Sequence, residues 1–131
     1  MLKAWMMGCS LSLLVAGTAA AQGDPAAGEK VFAKCKACHV LDTKTNRIGP
    51  HLGDVIGRTA GSVEGFKYSD AMKAKGEEGL VWNDETLAAY LADPKGYVPK
   101  NKMAFPGLKK EQDIANVIAY LHQAGGGSAT N

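Results

Sequence analysis

The 131-residue chain has little of what several classes of protein require. Only three cysteines occur, and Cys9 lies among the first 21 residues, so too few remain for a disulfide framework. Fifteen lysines and arginines stand against thirteen acidic residues, for a formal net charge of +2, and this balance predicts no nucleic-acid binding. Alternation of apolar and polar residues over a useful length is also missing, which favours an all-α fold class.

Residues 1–21 differ from the rest of the chain. Lys3 gives a basic start, an apolar stretch occupies residues 4–16, and three consecutive alanines ending at Ala21 offer a small-residue cleavage site. We expect a signal peptide that is cleaved near Ala21/Gln22, with export to a bacterial periplasm. An uncleaved membrane anchor is the alternative, but the apolar stretch is shorter than the roughly 20 residues of a membrane span.

The remaining residues are predicted to form one domain with a short tail. Residues 22–124 suffice for a single domain, whereas the Gly- and Ser-rich residues 125–131 have nothing to bury and are expected to be flexible. Four helices are predicted. The first begins at Pro25 after the cap Asp24, and the second runs from Ser69 to Lys75 and closes at Gly76. The third runs from Asn83 or Asp84 to Leu91 and is stopped by Asp93-Pro94, and the last carries Ile114, Val117, Ile118 and Leu121. Such long irregular stretches as residues 40–68 argue that something other than protein fills part of the core.

The most informative segment is Cys-Lys-Ala-Cys-His at residues 35–39. In an exported chain this order is typical of covalent haem attachment. On one helical turn, Cys35 and Cys38 share a face, where their thiols can bond the two vinyl groups of one porphyrin. His39 then lies beside them as an imidazole ligand of the iron. The sequence therefore predicts one haem c, attached through both cysteines.

Two other functions of the cysteine pair are less favoured. A thiol redox pair is expected between a strand and a helix in a βαβ pattern, which the surrounding sequence does not have. A structural zinc site needs four ligands, and only His51 and His122 remain to complete a set, neither at the usual spacing.

A six-coordinate haem iron needs a second axial ligand, and Met103 is the best candidate. It lies in a loop bounded by proline and glycine at residues 97–107, which can bring a thioether to the iron from the side opposite His39. Met72 lies inside a predicted helix and is expected to fill the core. His51 and His122 are the other candidates.

Further motifs make the chain resemble the class I c-type cytochromes, specifically the small soluble kind found in bacteria and mitochondria. The resemblance covers roughly residues 23–124 and implies the cytochrome c fold, with about four to five short helices and long loops wrapped around one covalently bound haem. The motifs are Gly49-Pro50, Gly57-Arg58, Gly65-Phe66, Tyr68-Ser69, Ala71, Trp82, Leu87, Tyr90-Leu91, Pro94, Tyr97-Val98-Pro99, Lys102-Met103, Phe105, Gly107 and Ala119-Tyr120-Leu121.

The resemblance also implies roles for individual residues. His39 and Met103 match the axial ligands, and the Pro50 carbonyl matches the acceptor that orients the imidazole. The residues that match haem-binding positions are Arg58, Tyr68 and Trp82 beside the propionates, Tyr90 near the methionine sulfur, and Phe105 over the haem. Gly28 and Tyr120 match the crossing of the first and last helices.

Two positions depart from the family pattern. Met72 stands where mitochondrial relatives usually carry asparagine, and Asn101 stands where threonine is common. The sequence does not say what either change does to the reduction potential.

The resemblance implies a monomeric electron carrier that is not an enzyme. Redox partners are expected to dock at the haem edge, near a ring of positive charge that includes Lys34, Lys95, Lys102 and Lys109. No stable membrane insertion is expected. If Met103 were not an iron ligand, the alternative would be a haem protein that binds small ligands or reduces peroxide.

Overall fold

The computed structural model describes residues 23–125, which form five helices joined by long irregular segments. The helices are α1 (Pro25–Phe32), α2 (Asp70–Glu77), α3 (Asp84–Ala92), α4 (Pro94–Tyr97) and α5 (Glu111–Ala124). Over residues 23–125 there is no strand, only an isolated antiparallel bridge between Thr59 and Val81. This confirms the predicted all-α class. The predicted signal peptide and, apart from Gly125, the predicted tail lie outside the described residues.

Polar caps begin three of the helices where the sequence predicts them. The Asp24 carboxylate accepts a hydrogen bond from the Ala26 N–H at 3.0 Å, and the Ser69 hydroxyl accepts one from Met72 at 3.1 Å. Asn83 and Thr86 form a reciprocal capping box, with both hydrogen bonds at 2.9 Å. Each such cap stabilises a helix by about 1 kcal/mol. None of the helices in the described part of the chain is long and apolar enough to cross a membrane.

Two helix boundaries differ from the sequence prediction. Helix α2 does not close at Gly76 but continues to Glu77, because Gly79, with a φ of +98°, is the glycine that takes the left-handed closing position. Gly76 serves packing instead, since a Cβ there would lie 1.9 Å from the Ala60 carbonyl oxygen. Asp93 and Pro94, predicted only to stop α3, also begin α4, since the Asp93 carboxylate accepts a hydrogen bond from Gly96 at 3.0 Å. Such an acceptor with proline at the first helical position is a helix start.

Helices α1 and α5 cross at Gly28. A Cβ at this position would lie 1.9 Å from the Asn116 carbonyl oxygen and 2.8 Å from Cβ of Tyr120. The missing side chain therefore permits the close approach predicted for Gly28 and Tyr120. Phe32 extends the contact, with its ring centroid 5.4 Å from that of Tyr120. The apolar face of α5, including Val117 and Leu121, is left to line a central cleft.

Candidate functional site

A central cleft lies between α1, α3, α5 and the loops that join them. It encloses about 1460 Å³, counting the solvent at its open mouth, and apolar side chains form most of its wall. All ten residues that the sequence assigns to the site line it, namely Cys35, Cys38, His39, Pro50, Arg58, Tyr68, Trp82, Tyr90, Met103 and Phe105. The fold thus brings together residues that are up to 70 positions apart in the sequence.

The two cysteines lie in the turn that follows α1. The N–H groups of Cys38 and His39 both donate to the Cys35 carbonyl, at 3.1 and 2.9 Å, so one turn carries all three side chains. No disulfide joins the two cysteines. Burial, and then the neighbouring Cys38, raise the pKa of Cys35. A redox-active thiol needs the opposite shift, toward thiolate, so this environment disfavours a thiol redox function.

A zinc site is not supported by the geometry either. Among residues 23–125, no three histidine, cysteine or acidic side chains converge as metal ligands do. His122 lies outside the cleft, with Nε2 2.6 Å from the Asp84 carboxylate. His51 is held beside Arg58 and Asp54. Neither histidine lines the central cleft.

His39 is oriented by its surroundings. Its Nδ1 lies 2.7 Å from the Pro50 carbonyl oxygen, so Nδ1–H donates and Nε2 is left as the nitrogen with a free lone pair. Gly49 packs against the ring, and a Cβ there would lie 2.3 Å from Cε1 of His39. Burial is the main cause that lowers the pKa of His39, and the Pro50 carbonyl partly offsets it. The neutral imidazole that results is the form that ligates a metal.

Met103 is approached by an aromatic hydroxyl. The Tyr90 O–H donates to the Met103 sulfur at 3.8 Å, and the rings of Trp82 and Tyr90 lie 5.0 Å apart. Burial raises the pKa of Tyr90 to about 12, so the hydroxyl stays a donor at neutral pH. Phe105 lies two residues beyond Met103 and is half-buried against the same core.

Asn101 fixes the loop that carries Met103, and sequence reasoning missed this role. The side chain is only 4% exposed. Its Nδ2 donates to the Pro94 and Val98 carbonyls at 2.8 and 2.9 Å, and its Oδ1 accepts from the Met103 N–H at 2.9 Å. An asparagine two residues before a predicted ligand, in a loop rich in proline, is a local signal for such an Asx turn.

Arg58 is held by two neighbours that the sequence did not assign to the site. Its Nη1 donates to the His51 carbonyl at 2.8 Å, and its Nη2 donates to the Asp54 carboxylate at 2.7 Å. The hydrogen bond from Arg58 is the main cause that lowers the pKa of Asp54. Tyr68, on the same wall, accepts a hydrogen bond from the Val63 N–H at 3.0 Å.

The four predicted docking lysines are exposed, but they differ in position. Lys34 and Lys102 line the central cleft, and Lys95 and Lys109 do not. Lys95 donates to the Asn101 carbonyl, whereas Lys109 reaches the Pro106 carbonyl at 3.4 Å. Lys34 and Lys102 are therefore the two placed closest to whatever occupies the cleft.

Met72 also lines the cleft and is buried in the core.

Comparison with known proteins gives one consistent result. Residues 25–125 match the family model described as Cytochrome c. A cytochrome c2 from Afifella marina is 55% identical over 97 residues, which cover 73% of this chain and 78% of the relative. Cytochrome c-554 from Methylosinus trichosporium is 50% identical over 113 residues, which cover 86% and 83% of the two chains.

Solved structures agree with the sequence relatives. Cytochrome cH from Methylobacterium extorquens superposes with a TM-score of 0.71 at 46% identity, over 77% of this chain and 99% of that one. Cytochrome c2 from Rhodospirillum centenum superposes with a TM-score of 0.72 at 44% identity, over 78% and 98% of the two chains.

Proposed function

Because the chain belongs to the cytochrome c family, we propose that it carries single electrons in the periplasm through a haem whose iron is held by His39 and Met103. The family carries haem c bound covalently, and its members are electron-transfer proteins rather than enzymes. The cysteines at positions 35 and 38 have the family spacing.

The residues around the cleft fit this cofactor. Two thiols, an imidazole and a thioether line one largely apolar cavity, and these are the groups that attach and ligate haem c. When bound, the haem supplies an iron that alternates between Fe(III) and Fe(II). The proposal rests above all on one observation, that His39 and Met103 line the same cleft and are each held by a hydrogen bond to the side chain.

The chain's own residues give this centre its properties. The Pro50 carbonyl holds the imidazole of His39 in one tautomer. Asn101 holds the backbone at Met103, and the Tyr90 hydroxyl donates to the sulfur. If His39 and Met103 both hold the iron, no position on it would be left for a substrate, and the protein would exchange electrons with partners at the mouth of the cleft. A thioether ligand also raises the reduction potential.

Positive charge at the cleft mouth is proposed to guide redox partners. Lys34 and Lys102 line the cleft, and we propose that Lys95 and Lys109 extend the positive charge around its mouth. A local field of this kind raises the rate of encounter with acidic partners even where the overall charge is small. We propose a soluble monomer, exported by residues 1–21 as a cleaved signal peptide.

A redox titration of the exported protein tests this function. It should carry covalent haem and follow a reversible one-electron curve. Met103→Leu should lower the midpoint potential strongly, because it removes the thioether. Met72→Leu is the matched control, since it removes a thioether from the same cleft, and it should change the potential much less. Equal effects of the two substitutions, or a potential unchanged in Met103→Leu, would contradict the assignment of Met103.

A further inference from the structure

Arg58 is the cation set most deeply into the wall of the central cleft. Its side chain is 10% exposed, and the residue lines the cleft. Two hydrogen bonds fix the backbone of Arg58. Its N–H donates to the Val55 carbonyl at 3.1 Å, and its carbonyl accepts from the Trp82 N–H at 2.8 Å. The guanidinium is placed by His51 and Asp54. Nη1 donates to the His51 carbonyl at 2.8 Å, and Nη2 donates to the Asp54 carboxylate at 2.7 Å and also lies 3.3 Å from Nδ1 of the His51 ring.

Asp54 differs from an ordinary surface carboxylate. Although its side chain is 60% exposed, its Oδ1 lies 2.7 Å from Nη2 of Arg58. The same oxygen is 3.9 Å from the ring of His51. A charge-assisted hydrogen bond of this length restricts the guanidinium as well as offsetting its charge.

We propose that Asp54 is a positioning residue for electron transfer, which lowers the reduction potential by holding the Arg58 guanidinium and offsetting its charge beside the haem. This rests on the proposed function, in which a donor gives one electron to Fe(III) and an acceptor takes it from Fe(II). A cation beside the cleft favours the state with the additional electron, and the field of a nearly buried charge is weakly screened. A carboxylate paired with that cation removes part of this effect.

The effect is attributed to the pair and not to Asp54 as a lone charge. An exposed carboxylate acting alone is screened by water and salt. Asp70 provides the comparison, because it also lies next to a residue of the cleft wall, Ser69. Its side chain is fully exposed, and the cation paired with it, Lys73, is 3.6 Å away and itself exposed. Replacing either aspartate by asparagine changes the net charge by the same amount.

Midpoint potentials of a set of holoprotein variants test the proposal. Asp54→Asn should raise the potential more than Asp70→Asn does, and the difference should persist at high salt. Asp54→Glu keeps the carboxylate and should stay near the wild-type value. In an Arg58→Gln background, the Asp54→Asn shift should fall to that of Asp70→Asn, because the residue through which Asp54 acts is gone.

Other results would overturn the proposal. An Asp54→Asn shift equal to that of Asp70→Asn, or one of the same size with and without Arg58, would reduce Asp54 to an ordinary surface charge. If the Arg58→Gln variant accumulates no holoprotein, the midpoint potentials of three variants still test the proposal, namely Asp54→Asn, Asp54→Glu and Asp70→Asn. A wild-type protein without covalent haem would instead refute the proposed function, which separates the two failures.

Discussion

The backbone N–H of Met103 donates a 2.9 Å hydrogen bond to the buried side chain of Asn101. The same side chain donates to the carbonyls of Pro94 and Val98, so one amide ties the proposed ligand to the short helix α4. Replacing it by an apolar residue would leave the Met103 N–H without its partner, whereas the two carbonyls would keep the backbone hydrogen bonds that they accept from Val98 and Asn101. A buried N–H left unpaired costs about 1–3 kcal/mol.

Asn101→Ala should therefore release Met103 more readily. We expect cyanide to bind the ferric protein at least about tenfold faster, since tenfold corresponds to about 1.4 kcal/mol. Stopped-flow mixing with cyanide measures this rate. Asn83→Ala is the control, because it removes a helix cap worth about 1 kcal/mol without a contact to Met103. A rate that rises equally in both variants would indicate general destabilisation and contradict the role given to Asn101.

Stability should depend on pH through His51. Burial, followed by the nearby Arg58 cation, lowers the pKa of this histidine below its ordinary value of 6.5. The folded protein then binds fewer protons than the unfolded chain, so the free energy of unfolding decreases as the pH falls below about 6.5 toward the lower folded pKa.

His51→Asn should flatten that dependence. The substitution keeps the backbone carbonyl that Arg58 uses, and it removes the ring that becomes charged. Chemical denaturation at a series of pH values gives the free energies of unfolding, and the two proteins should diverge only on the acid side of neutrality. Parallel curves across the acid range would show that the ring does not contribute.

Lys34 and Lys102 should steer small anionic oxidants as well as protein partners. We expect Lys34→Ala and Lys102→Ala each to slow oxidation of the ferrous protein by ferricyanide at low salt, by up to about fivefold, which corresponds to about 1 kcal/mol. The difference should disappear at high salt. Lys73→Ala, an exposed lysine that does not line the cleft, is the control. Rates that fall equally in all three variants would indicate an effect of net charge only.

Gly28→Ala should destabilise the crossing of α1 and α5. The added Cβ would lie 1.9 Å from the Asn116 carbonyl oxygen, a contact that backbone movement must relieve. Overpacking of this kind costs about 1–3 kcal/mol, although alanine is the better helix former by about 1 kcal/mol. Thermal unfolding of the holoprotein measures the change, and an unchanged or higher midpoint would contradict the observed close approach.

Local signals in the sequence predict much of this fold. The caps Asp24, Ser69 and Asn83 mark helix starts because each acts on backbone groups within three residues of itself. The attachment motif at residues 35–39 is equally local. Gly76 was wrongly predicted to end α2, because the sequence does not show that this glycine packs against Ala60, 16 positions earlier.

The interactions that tune the site are harder to read from the sequence. Asp54 and Arg58 are four residues apart, but their hydrogen bond depends on a turn that no strong sequence pattern predicts. Asn101 could be noted as unusual, yet its partners depend on the way α4 folds back on the Met103 loop. Roles that depend on such contacts become visible only once the chain is folded.

The most direct test of the central claim is the visible spectrum of the ferric protein, exported and loaded with haem. Ligation by His39 and Met103 predicts a weak far-red band that is lost in Met103→Leu and retained in Met72→Leu, together with slow binding of cyanide to the wild type. A wild-type protein that lacks this band and binds cyanide rapidly would have an open iron site, which would contradict the carrier mechanism and favour ligand binding or peroxide reduction.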